Sequence, residues 1–252
     1  MSSPLNGDGM MPGSIRPWLA FTPYIVVSVV HVVARFFDLP VDAPTKLMLM
    51  PALALAAVWV TASLRPWPRG EMVLLLAAIL FSWLGDGASV FFPMFEDPLP
   101  MMLLCFGLAH VGYMVLMLRG RGLQVRRFPM WAIVYVLAYG VLMALLLPHT
   151  GALTIPVSVY GLLLVGTAAV ASRCGTVVAW GGAWFLASDA ILAFRIFTPE
   201  MMPDWTSGLV MLTYTLGQGL IVFGVTAALR RRAQQLDPQL PRPPRGATAT
   251  AY

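Results

Sequence analysis

The chain is a succession of apolar runs, most of them about as long as a lipid bilayer core is thick. Eight can be drawn: Trp18–Phe37, Lys46–Leu64, Met72–Phe92, Met101–Leu118, Phe128–Leu147, Ile155–Ala171, Thr176–Phe197 and Ser207–Leu229. A helix needs ~20 predominantly apolar residues to cross the hydrocarbon region. The breaks between runs carry prolines, at 40 and 44, 66 and 68, 93, 98 and 100, 148, and 199 and 203, as expected of connections. The runs are continuously apolar and do not alternate with period two, which argues against an outer-membrane barrel. With 59% hydrophobic and 11% charged residues, the balance is not that of a water-soluble domain. The expected fold is therefore an all-α transmembrane bundle of eight helices over residues 18–229. A polar Gly/Pro-rich stretch (1–17) and an Arg/Pro-rich tail (230–252) flank it, both expected to be disordered. The first residues do not read as a secretory signal.

The basic residues sort by side. Arg16, Arg65, Arg69, Arg119, Arg121, Arg126, Arg127, Arg173 and Arg230–Arg232 fall on one side of the eight runs. The loops opposite hold Asp38, Asp42, Glu96, Asp97, Glu200 and Asp204, and no Lys or Arg. The positive-inside rule then places both termini in the cytoplasm, and a bacterial inner membrane is the expected location. The net charge of +5 reads as a topology signal and a contact for anionic lipids. It does not read as a nucleic-acid surface, because no soluble basic domain exists to hold one. Cys105 and Cys174 fall in a run and in a loop of the opposite side, so no disulfide is expected, and no spacing suggests a metal site.

Ionisable residues inside the runs are few: His31, Arg35, Lys46, Asp86, His110, Asp189 and Arg195. They cluster toward the non-cytoplasmic half. Asp86 and Asp189 are the costly ones, because Ser or Asn would serve a helix contact with far less desolvation; buried acids of this kind mark functional sites. His110 and Tyr113 share a helix face, as do Tyr214 and Gln218, and Ser82 lies one turn before Asp86. Such residues also serve simply as interhelical hydrogen-bond partners, and His31 and Arg35 read as boundary or packing groups. The stretches FSWLGDGASVF (81–91) and WFLASDAILAF (184–194) resemble each other four runs apart, compatible with a four-plus-four parallel repeat.

These residues carry a resemblance. TKLMLMP (45–51), FSWLGD (81–86), FGLAHVGY (106–113), Tyr160, FLASDAILAF (185–194) and YTLGQ (214–218) resemble, in order, the YhhN-like family of membrane proteins, whose characterised members are lysoplasmalogenases. Leu47 stands where the family often has Pro, and both terminal segments fall outside the pattern. The resemblance implies a hydrolase that cleaves the vinyl ether bond of a lysoplasmalogen, giving a fatty aldehyde and glycerophospho-ethanolamine or -choline. The head group stays open at this point.

Vinyl ether hydrolysis is acid-initiated. A proton adds to the β-carbon of the alkene, water adds to the oxocarbenium ion, and the hemiacetal collapses. One carboxylic acid and one carboxylate can supply both roles. On this reading Asp86 and Asp189 are the catalytic pair and His110 orients or relays a proton. Lys46 holds the phosphate, and Tyr113, Tyr160, Ser188, Tyr214 and Gln218 bind substrate or water. The partners are a lysophospholipid and the surrounding lipids. No cofactor and no metal is invoked: His31, His110 and His149 are dispersed. A serine nucleophile is disfavoured because Ser82, Ser89 and Ser188 lack a G-x-S-x-G context. The rival readings are a proton-coupled transporter, which would also bury Asp and His, and a structural lipid-binding protein.

Overall fold

The computed structural model of the protein describes residues 17–120, 122–124 and 127–236. The stretch 1–16, Arg121, Arg126 and the tail beyond Leu236 lie outside the described residues, and so do the expectations of disorder and charge placement that fell on them.

Among the described residues there is no strand. The helices are α1 (Thr22–Phe36), α2 (Asp42–Thr61), α3 (Arg69–Asp86), the short α4 (Ala88–Phe91), α5 (Leu99–Arg119), α6 (Ile133–Leu146), α7 (Thr154–Ala171), α8 (Thr176–Phe197) and α9 (Thr206–Leu236). Short 3-10 turns precede α1, α6 and α7 and follow α6 and α8. Among the described residues, seven helical segments are long and apolar enough to cross a membrane. The third run, Met72–Phe92, is the exception. Its helix, α3, carries Arg69, Glu71 and Asp86 within 18 residues and stops at Gly87, where an unbroken helix to Phe92 was expected. A Cβ at Gly87 would stand 2.5 Å from the Phe91 ring and 2.9 Å from Leu47. The break leaves Asp86 as the last residue of α3, close to α2.

Neighbour relations close a ring. α1 packs on α2, α2 on α3, α3 on α5, α5 on α7, α7 on α8, α8 on α9, and α9 back on α1. α6 stands outside, against α7, and buries only Tyr135, Met143 and Leu146. The tightest seam joins α8 to α9. A Cβ on Gly217 would lie 2.7 Å from the Phe185 nitrogen, and one on Gly181 2.7 Å from the Ile221 nitrogen. Such close backbone approach is how helices pack where lipid supplies no hydrophobic drive.

The helix ends bring the basic segments together. Arg230 donates to the Val60 carbonyl (3.1 Å), Arg232 pairs with Glu71 (3.4 Å), and Arg173 donates to Gln124 (3.0 Å). α9 therefore runs on past Leu229, where the span was expected to end and a disordered tail to begin. Its 31 residues extend about 46 Å at ~1.5 Å per residue, longer than the ~30 Å hydrocarbon core. At the opposite end, Arg35 pairs with Asp42 (2.7 Å), Arg195 donates to Thr206 Oγ1 (2.5 Å), and Ser207 donates to the Arg35 carbonyl (3.3 Å).

Candidate functional site

Inside the ring, toward the end opposite Arg173, Arg230 and Arg232, lies a cavity of about 220 Å³. Asp86 and Asp189 both line it, from α3 and α8. So do Lys46 of α2, Ser188 of α8 and Tyr214 of α9. Its apolar wall includes Met102, Phe106, Leu192 and Met211. Residues that sequence reasoning set aside complete the lining: His31, Arg35 and Asp42 on the α1–α2 side, and Arg195 on α8. His31 and Arg35 were read as packing groups because nothing in α1 alone shows which neighbour its polar face meets.

Each carboxylate is held by its own set of partners. Asp86 Oδ2 accepts from the Tyr214 hydroxyl at 2.7 Å. Behind Tyr214, Gln218 donates to Ser82 Oγ (2.9 Å) and accepts from the Tyr113 hydroxyl (2.5 Å). Three helices, α3, α5 and α9, are thereby cross-linked beneath Asp86. Asp189 Oδ2 accepts from the Tyr160 hydroxyl and faces His110 Nε2 at 3.5 Å. His110 Nδ1 meets Thr167 Oγ1 at 3.1 Å. The Phe185 ring stands between the two sets, with its centroid 4.7 Å from that of His110 and 5.6 Å from that of Tyr214.

Hydrogen-bond accounting assigns the His110 tautomer. The Thr167 hydroxyl donates to the Leu163 carbonyl (2.8 Å), so toward His110 it accepts, and Nδ1 carries the proton. Nε2 then faces the Asp189 carboxylate and the Tyr160 hydroxyl, each at 3.5 Å. The Tyr160 proton is already directed at Asp189. The imidazole, the phenol and the carboxylate thus meet in one buried cluster. Asp86 is more open to the cavity than Asp189, which is only 7% exposed.

The expected site residues thus divide. Asp86, Asp189, Lys46, Ser188 and Tyr214 meet at one cavity. His110, Tyr113, Tyr160 and Gln218 do not line it; they hold the groups that do. Ser188 lines it, but its hydroxyl donates to the Val210 carbonyl (3.0 Å) and so helps join α8 to α9. Thr167 was missed, although it follows Tyr160 at i+7 on the same face of α7.

Fold and site together define a class: an integral membrane protein of packed helices with a cavity that brings two acids out of water. The YhhN family model matches residues 41–225, well over half of the chain, and the chain belongs to the YhhN family. No curated protein and no solved structure matches the chain.

Proposed function

We propose that the protein is a lysoplasmalogenase that hydrolyses the vinyl ether bond of lysoplasmenyl-ethanolamine or -choline. The observation that carries this reading is the convergence of Asp86 and Asp189 on one cavity, each with a different set of partners. One carboxyl group of the Asp86/Asp189 pair supplies the proton that adds to the β-carbon of the alkene; the alkene π pair forms the new C–H bond, and a lone pair of the ether oxygen completes the oxocarbenium ion. The other carboxylate stabilises that cation and takes a proton from the attacking water, while Lys46 on the cavity wall holds the phosphate. The hemiacetal then collapses to a fatty aldehyde and the glycerophospho alcohol. The cavity has room for the glycerol and the reacting bond. The hydrocarbon chain leaves it past Met102, Phe106 and Leu192 into the bilayer.

The same reading carries a topology. α3 and α4 together act as an eighth crossing, the arginine-rich end faces the cytoplasm of a bacterial cell, and the cavity lies in the outer half of the inner membrane. The four-plus-four relation belongs with it, on the similarity of residues 81–91 and 184–194 alone; Asp86 closes a helix while Asp189 lies inside one.

The test is purified protein in detergent with a lysoplasmalogen and an aldehyde-coupled assay. Aldehyde release is expected from the wild type. D86N and D189N should each lower kcat at least about a hundredfold, the low end of what a general acid or base contributes, with unfolding behaviour retained. Wild-type activity in both variants would remove the mechanism; flux into liposomes without product would mark a carrier.

A further inference from the structure

The α1–α2 wall of the cavity holds two buried acceptors with no hydrogen-bond partner among the described residues. His31 is fully buried and lines the cavity. Thr45 Oγ1 donates to the Val41 and Asp42 carbonyls (2.6 and 2.9 Å), so it accepts from His31 Nδ1–H at 2.9 Å. The other ring nitrogen, Nε2, therefore bears a lone pair, and it has no protein partner. Asp42 also lines the cavity. Its Oδ2 accepts from Arg35 at 2.7 Å, and its buried Oδ1 has no hydrogen-bond partner, with His31 Nδ1 3.5 Å away. Fastening α1 to α2 explains His31 Nδ1 and Asp42 Oδ2. It leaves His31 Nε2 without a partner, and Asp42 Oδ1 with no closer polar contact than His31 Nδ1. Buried acceptors left unpaired are costly, and these two ask for a donor, preferably a cation.

The next group along α2 is Lys46, i+4 from Asp42 and so on the same face. Lys46 lines the cavity and forms no ion pair within the described residues. One helical turn, about 6 Å of rise, separates a negative end at Asp42 from a positive end at Lys46. A two-carbon spacer joins amine to phosphate in a phosphoethanolamine head group, with the opposite polarity. The His31–Asp42 wall, the lysine and the carboxylates Asp86 and Asp189 then match, in order, the amine, the phosphate and the reacting end of the lipid.

The geometry points to a primary-ammonium subsite formed by His31 Nε2 and Asp42 Oδ1, which selects ethanolamine over choline head groups. It rests on the lysoplasmalogenase reading only for the identity of the lipid. A primary ammonium offers N–H donors to both acceptors; a trimethylammonium offers none and leaves both unpaired. A site built to hydrogen-bond a group rejects the analogue that lacks it far more strongly than a merely apolar pocket would. His31 precedes the stretch that matches the family model, so this half of the subsite belongs to the chain's own N-terminal helix.

The experiment uses the full chain in detergent and saturated alkyl-ether lysophospholipids, which contain no vinyl ether and cannot turn over. Four head groups are compared by calorimetric titration: ethanolamine and its N-methyl, N,N-dimethyl and N,N,N-trimethyl forms. Ethanolamine should bind at least about tenfold more tightly than choline, with the steepest loss where the last N–H disappears. D42N and H31F should each narrow that ratio to within about threefold; D42N serves if H31F fails to fold. Equal binding of all four head groups by the wild type, or a ratio untouched in D42N, would overturn the subsite. Because binding is read without turnover, absence of aldehyde release would sink the reaction and leave the subsite standing. Turnover with no head-group preference would do the reverse.

Discussion

Thr167 shows how much of a buried site rests on residues that never meet a ligand. Its hydroxyl proton is committed to the Leu163 carbonyl, and that commitment turns the Nε2 lone pair of His110 toward Asp189. Valine at 167 keeps the shape and removes the acceptor. His110 would then face an unpaired Nδ1–H or switch tautomer and direct Nε2–H at Asp189. T167V should lower kcat about tenfold, as expected for loss of a buried hydrogen bond, with KM changed by less than about threefold. Kinetics on the purified variant check this, and a changed KM with unchanged kcat would count against the role. On the other side, Tyr214 is the only hydroxyl hydrogen-bonded to Asp86 among the described residues. Y214F should reduce turnover more than it reduces thermal stability, because Gln218 retains Ser82 and Tyr113.

At the scale of elements, the site depends on two helix relations. One is the end of α3 at Gly87, which sets Asp86 beside α2; the Trp83 indole nitrogen donates to the Leu47 carbonyl (2.8 Å) and ties the two helices at that level. The other is the α8–α9 seam, which places Asp189 and Tyr214 on adjoining helices around one cavity. A side chain at Gly217 would collide with the backbone of Phe185, and backbone cannot rotate away. G217L should therefore lower the thermal unfolding midpoint sharply or abolish folded yield, since overpacking costs typically 1–3 kcal/mol and more where nothing can yield. Gly140 provides the contrast. Nothing lies within 4 Å of a Cβ there, so G140A should leave the midpoint unchanged or raise it slightly through better helix propensity. Equal effects at the two positions would mean that the seam is not the tight contact described.

For the whole molecule, the decisive feature is polarity from end to end. Basic segments gather at one end through the Arg230, Arg232 and Arg173 contacts, and the cavity lies toward the other, lined there by Asp42 at the start of α2. In a background lacking Cys105 and Cys174, an impermeant thiol reagent added to intact cells should label D97C. R69C should react only after permeabilisation. The reverse pattern would move the cavity to the cytoplasmic leaflet and change which lipids reach it, while leaving the chemistry intact.

The amino-acid order alone determined the helical class, most span boundaries and the pair of acids. These are written in local terms: run length, proline punctuation, and the cost of a carboxylate in hydrocarbon. It also marked Lys46, Tyr160, Tyr214 and Gln218 as residues of interest. Only the tertiary structure decided which of them face the cavity and which stand behind, because that depends on how seven helices close a ring. The roles of His31, Asp42 and Thr167 had no local signature. A buried acceptor becomes informative only when every neighbour that could have satisfied it is known, and those neighbours come from helices far apart in sequence.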